Sequence, residues 1–68
     1  MERIYWRRDG DTYRASVPNR VAVVFPCLDG WCYLLEQFDD GQMTRSIHGG
    51  TYPERQDAML AAERELRR

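Results

Sequence analysis

Residues 30–54 read Gly30-Trp31-Cys32-Tyr33-Leu34-Leu35-Glu36-Gln37-Phe38, Asp39-Asp40-Gly41, Gln42-Met43-Thr44-Arg45-Ser46-Ile47-His48, Gly49-Gly50-Thr51-Tyr52-Pro53-Glu54, and this order decides the fold. Trp31 to Phe38 has the aromatic and branched composition of a strand. Asp39-Asp40-Gly41 suits a three-residue loop with Gly41 in the left-handed region. In that register Phe38 faces Gln42 and Tyr33 faces Ile47. A two-residue loop at Asp40-Gly41 would instead set Leu34 against Ile47 and Glu36 against Arg45. The choice matters because a one-residue slip exchanges the faces of a strand. Gly49-Gly50 then releases the chain, and Thr51-Tyr52-Pro53-Glu54 has the form of a capping box opening a helix. The helix is expected to run to about Leu66. Ala58, Met59, Ala62 and Leu66 form one stripe, with Leu60 and Ala61 at its edges. Arg64, Arg67 and Arg68 complement the dipole at its far end.

Upstream, residues 3–8 alternate weakly and end at Asp9-Gly10, a preferred two-residue turn. Thr12 to Val17 would return, setting Trp6 against Tyr13 and Tyr5 against Arg14. Pro18-Asn19 breaks the chain. Val21 to Phe25 is a β-branched run of the kind buried on both faces, and Pro26 ends or bulges it. Asp29-Gly30 is a second hairpin signal. The whole chain therefore reads as a single small α+β domain over residues 1–68: an antiparallel β-meander of about four or five strands, with one C-terminal helix packed on one face.

One helix covers one face of a sheet. Trp31, Tyr33 and Leu35 fall on one side of their strand, and Cys32, Leu34 and Phe38 on the other. Both sides are apolar, so either the N-terminal hairpin or another molecule must cover the second. Tyr5, Trp6, Trp31, Tyr33, Leu35 and Phe38 are the expected protein-interface residues, as aromatics dominate interface energetics.

All ten cationic residues are arginine, against eleven Asp and Glu, giving a net charge of −1. That balance leaves no global basic footprint for nucleic acid. Locally, Arg3, Arg7, Arg8 and Arg14 interleave with Tyr5, Trp6 and Tyr13, and Arg45 lies on the last strand. Arginines that bind phosphate beside aromatics that stack on bases would serve a nucleic-acid interface.

Cys27 and Cys32 flank Asp29-Gly30. A two-residue turn there would place them directly opposite, about 4.5 Å apart at Cα, at the short end of disulfide geometry. The alternatives are two reduced, buried thiols, or a metal site completed by His48. Two cysteines and one histidine fall short of a closed zinc site. His48 is the only histidine and reads as a strand-end residue. Ser46 has no nucleophile-elbow sequence around it, and no phosphate loop is present. No catalytic residue, cofactor, metal or small-molecule substrate is expected. No run approaches the roughly 20 apolar residues of a membrane span, and the charged N-terminus lacks an apolar leader. A bacterial cytoplasm is the expected setting.

Residues 30–66 resemble the three-stranded-sheet-plus-helix modules of APETALA-type plant DNA-binding domains and of tyrosine-integrase arm-binding domains. The shared features are Gly30-Trp31 opening the middle strand, an Asp-Gly turn after it, Gly50-Thr51-Tyr52, and Ala58, Ala61 and Ala62. The resemblance implies a helix packed on the sheet through these positions, with the opposite sheet face available to DNA. From the residues themselves, the expected function is a non-enzymatic protein-interaction module, accessory or regulatory, acting as a homodimer or on a protein partner. A nucleic-acid-binding module is the alternative.

Overall fold

The computed structural model describes residues 3–68. Five strands, β1 (Arg7–Asp9), β2 (Thr12–Val17), β3 (Arg20–Cys27), β4 (Gly30–Asp39) and β5 (Gln42–His48), precede one helix, α1 (Arg55–Leu66). The strands form a single antiparallel meander in chain order. The α+β meander with one packed C-terminal helix is thus the architecture of the chain.

Tight turns make the meander. Pro18-Asn19 joins Val17 to Arg20, with Asn19 at φ 71°, so proline leads and asparagine takes the left-handed position. Asp40-Gly41 is a two-residue turn with both residues at positive φ, 53° and 81°. This corrects the three-residue loop expected from Asp39-Asp40-Gly41. Neither expected register holds along β5, because a bulge opposite the Gln37/Phe38 step shifts the ladder by one residue. The pairs are Phe38 with Met43, then Gln37 with Arg45 and Leu35 with Ile47. The extra residue returns Ile47 to the helix side of the sheet, where it packs against the core.

Two other turns sit one residue away from their strongest sequence signal. β1 and β2 turn at Gly10-Asp11, so Arg7 faces Arg14 and Arg8 faces Tyr13. The shift is two in pair register, so Trp6 keeps its side. β3 and β4 turn at Leu28-Asp29, with Cys27 opposite Gly30. β3 runs through Pro26, which lies beyond the last β2–β3 pair, where the strand has a neighbour on one side only.

The core lies between the sheet and α1. Ala15, Ala22, Val24 and Leu35 of the sheet meet Ala58, Ala62 and Leu66 of the helix. The ladder aligns Ala15, Ala22, Leu35 and Ile47 in one row. Small residues at Ala22, Ala58 and Ala62, all fully buried, let the helix approach the backbone of β3 closely. Trp6, Tyr13, Trp31, Tyr33 and Tyr52 surround this centre. The ring of Trp31 meets that of Tyr13 edge-on at 6.4 Å, and Tyr33 stacks with Tyr52 at 6.3 Å.

The expected capping box does not form. Tyr52 is bound to Trp31 in both directions, Trp31 N to Tyr52 O at 2.7 Å and Tyr52 N to Trp31 O at 2.8 Å. That bridge ties Tyr52 to β4, and a bend at Pro53 and Glu54 follows before the helix begins at Arg55. Glu54 is the N-cap, without a side-chain cap bond. The hydroxyl of Thr51 lies instead 3.7 Å from Cys32 Sγ. Gly30, at φ 145°, is required here: a Cβ would collide with the Tyr52 carbonyl oxygen.

Candidate functional site

Strand alternation assigns every sheet residue to the helix side or to the open side. On the open side, one row across the sheet reads Arg7, Arg14, Val23, Leu34, His48. The adjoining row reads Ser16, Val21, Glu36, Ser46. Phe25 pairs with Cys32 on the other flank. Val21, Val23, Phe25 and Leu34 therefore form an apolar stripe along β3 and β4, and alternation adds Phe38. All five are half-buried by sheet neighbours, yet none belongs to the core or packs against it. Among the described residues no helix covers this side.

Its charges are arranged unevenly. Arg7 and Arg14 are directly opposed, both exposed, on one flank of the stripe. Like charges so placed repel. The ion pairs among the described residues are Glu63 with Arg67 and Glu65 with Arg68, both within the C-terminal helical region, so neither β-strand arginine is neutralised by one. Glu36 lies on the opposite flank, two strands from Arg14 and one row along. Tyr5, largely exposed, borders a shallow cleft with Arg7, Arg14 and Ser16.

A disulfide closes one end of the stripe. Cys27 and Cys32 are bridged with Cα atoms 6.2 Å apart, five residues apart in sequence. They are diagonal neighbours rather than the directly opposed pair expected from an Asp29-Gly30 turn, since Cys27 faces Gly30 and Cys32 faces Phe25. The diagonal gives the wider Cα spacing that a bridge favours. The two cysteines are half-buried, not the buried reduced thiols of the alternative reading. Among the described residues no cluster of three metal-ligating side chains forms; His48 is exposed at the end of the edge strand.

The expected interface residues divide between the two sides. Phe38 lies on the open side and Tyr5 at its border. Trp6, Trp31, Tyr33 and Leu35 lie on the helix side. Leu35 is only 7% exposed, and Trp6 donates from Nε1 to Glu63 Oε2 at 2.8 Å, so α1 occupies both. Tyr33, held against Tyr52, has its phenol pushed above its ordinary pKa by burial and then by the Glu65 carboxylate. Of the expected arginines, only Arg7 and Arg14 share the open face. Arg8 is opposite Tyr13, Arg45 is opposite Gln37, and Arg3 precedes the sheet.

Val23, Phe25, Leu34 and Glu36 were the residues missed at this surface. The signal for them was the unbroken Val21 to Phe25 run, which marked a strand apolar on both sides without saying which side the helix takes. No family model matches the chain, and no curated protein or solved structure is significantly similar to it. Among the described residues no helix is long and apolar enough to cross a membrane.

Proposed function

We propose that this chain is a non-enzymatic protein-interaction module, accessory or regulatory, that docks through the open face of its sheet. One observation carries this reading: Val21, Val23, Phe25 and Leu34 form a continuous apolar stripe that makes no contact with the protein's own core. Because these side chains are already half-buried in the sheet, covering all four against a partner contributes about 0.7–1.5 kcal/mol each before the costs of association. Leaving them in water forfeits that gain.

A photo-crosslinking residue at position 23, with one at position 60 on the outer side of α1 as control, tests the reading in cells. Cross-links to protein should concentrate at position 23. Equal or weaker yield there than at position 60 would refute docking through the sheet.

A second reading, nucleic-acid binding, draws on Arg7 and Arg14 beside Tyr5 and Phe25. Phosphates would satisfy the opposed arginines, and the aromatics would stack on bases. The DNA-binding families that residues 30–66 resemble also use the face opposite the helix. Glu36, inside the same surface, disfavours a polyanion there. Retardation of single- or double-stranded DNA at low salt, lost steeply as salt rises, would support this reading. We place the protein in the cytoplasm; there the Cys27–Cys32 pair would exchange with the cellular thiol pool.

A further inference from the structure

If the open face is a docking surface, as proposed above, its charges constrain what can occupy it. Sheets packed face to face lie about 10 Å apart with strands within about 30° of parallel. Two two-fold axes through the apolar stripe, one across the strands and one along them, show what charges a second copy would meet.

An axis across the strands, through the row of Val23 and Leu34, places that row on itself. Arg7 and Arg14 of one copy would then face the same arginines of the other. Four guanidinium groups would be crowded together without a counter-charge, which excludes this arrangement.

An axis along β3 gives the opposite result. It leaves β3 on β3, so Val21, Val23 and Phe25 of the two copies meet in the middle. It also exchanges β2 with β4, laying Arg14 over the partner's Leu34, one row from the partner's Glu36. The offset from Arg14 to Glu36 along the strand is two residues, about 7 Å, which an arginine side chain spans. Each copy supplies the carboxylate that the other's opposed Arg7–Arg14 pair lacks.

We propose that the occupant of the open face is a second copy of this chain, packed about a two-fold axis along β3. Arg14 of each copy faces Glu36 of the other across a shared core of Val21, Val23, Phe25 and Leu34.

Size agrees with this. Five strands spaced at about 4.8 Å give a width of about 24 Å. The eight residues of β3 at about 3.3 Å each give a length of about 26 Å. Because β1 and β2 are shorter than β3, the planar footprint is about 540 Å² per copy, or about 1,100 Å² for the pair, and side-chain relief raises the accessible area above that; stable interfaces begin in this range. A single polyanionic partner would satisfy the arginines but oppose Glu36. A second copy satisfies both.

Sedimentation of the purified protein tests the proposal. The wild type should sediment at twice the 8.1 kDa chain mass. Arg14→Glu and Glu36→Arg should each weaken self-association at least tenfold, because each sets like charges face to face. Mixing the two variants should restore a dimer containing one copy of each, since every facing pair is then opposite in sign. Circular dichroism checks that both variants remain folded.

Three outcomes would overturn the proposal: a wild type that stays monomeric at about 100 μM, a concentration at which interfaces of this size are populated; single variants that dimerise as the wild type does; or a mixture that stays monomeric. A monomeric wild type whose position 23 still captures another protein in cells would sink the homodimer and leave the docking reading standing. Failure of both measurements would remove both.

Discussion

Arg20, the first residue of β3, reaches the far end of the helix. Its Nη1 donates to the carbonyl of Glu65 at 3.0 Å and to that of Arg68 at 2.6 Å. The last carbonyls of a helix have no partner within it and carry its negative pole. Arg20 supplies both the donor and the positive charge, from a strand forty-five residues earlier in the chain. It fastens the end of α1 to the middle of the sheet.

Replacing Arg20 by methionine keeps the aliphatic stem and removes the cap. A loss of about 1–2 kcal/mol is expected, since the bonds are charge-assisted but partly solvated. Urea denaturation should report a lower midpoint with an unchanged slope. Lysine should recover part of the loss.

Trp6 holds the same end of α1 from another part of the chain. Its indole donates to Glu63 at 2.8 Å and its ring packs on the core, although it precedes the first strand. Trp6→Phe keeps much of the packing and leaves the contact without a donor, with an expected cost of about 1–2 kcal/mol. Glu63→Gln, which retains an acceptor, should cost less. Chemical denaturation of the two variants side by side checks the order.

Gly30→Ala should be among the most damaging small changes in the chain. The residue sits at φ 145°, and its missing Cβ makes room for the Tyr52 carbonyl. A loss above about 2 kcal/mol is expected from the strain together with the broken Trp31–Tyr52 bridge. Gly41→Ala, at φ 81° but with open space around it, should cost about 1 kcal/mol. Thermal melts of both variants separate collision from conformational strain.

The Cys27–Cys32 bridge closes a short loop, so its effect on the unfolded chain is modest, about 2 kcal/mol. Cys27→Ser/Cys32→Ser should therefore fold and melt at a lower temperature. Native thiol titration of the wild type should find no free sulfhydryl before reduction and two after it.

Tyr33 makes stability depend on pH on the alkaline side. Burial, then the Glu65 carboxylate and then Tyr52, raise its phenol above the ordinary value. Its folded pKa is higher than its unfolded one. Its contribution to stability is therefore complete below about pH 10 and is lost as pH rises through the folded value. Ultraviolet titration should show one tyrosine ionising late, and Tyr33→Phe should remove that step and flatten the alkaline loss of stability.

The meander was legible because its signals are local. Pro18-Asn19 and Asp40-Gly41 are turns by their own backbone preferences, and the spacing of Ala58, Ala62 and Leu66 defines a helix face without knowledge of the sheet. The register was less legible. Asp9-Gly10 and Asp29-Gly30 are good turn pairs, yet the chain turns at Gly10-Asp11 and Leu28-Asp29, leaving Leu28 fully exposed at a tip. Both shifts are two in pair register and leave the strand faces unchanged; the second takes Gly30 into β4, where its missing Cβ makes room for the Tyr52 carbonyl. The bulge in β5 left no mark in the sequence; its effect is to keep Ile47 opposite Leu35 and under the helix.

By itself, the sequence determined a meander of four or five strands and a helix, and an excess of apolar strand faces over helix to cover them. That much follows from side-chain period and turn chemistry, which act over a few residues. Only the tertiary structure decided which face α1 takes. Fully buried Ala22 and Val24 on β3 give the helix a close seat on one side, while Phe25, Val23 and Leu34 stand on the other. That choice assigned Trp31, Tyr33 and Leu35 to the core. It left the stripe between Arg14 and Glu36 as the surface where this protein meets another molecule in our proposal.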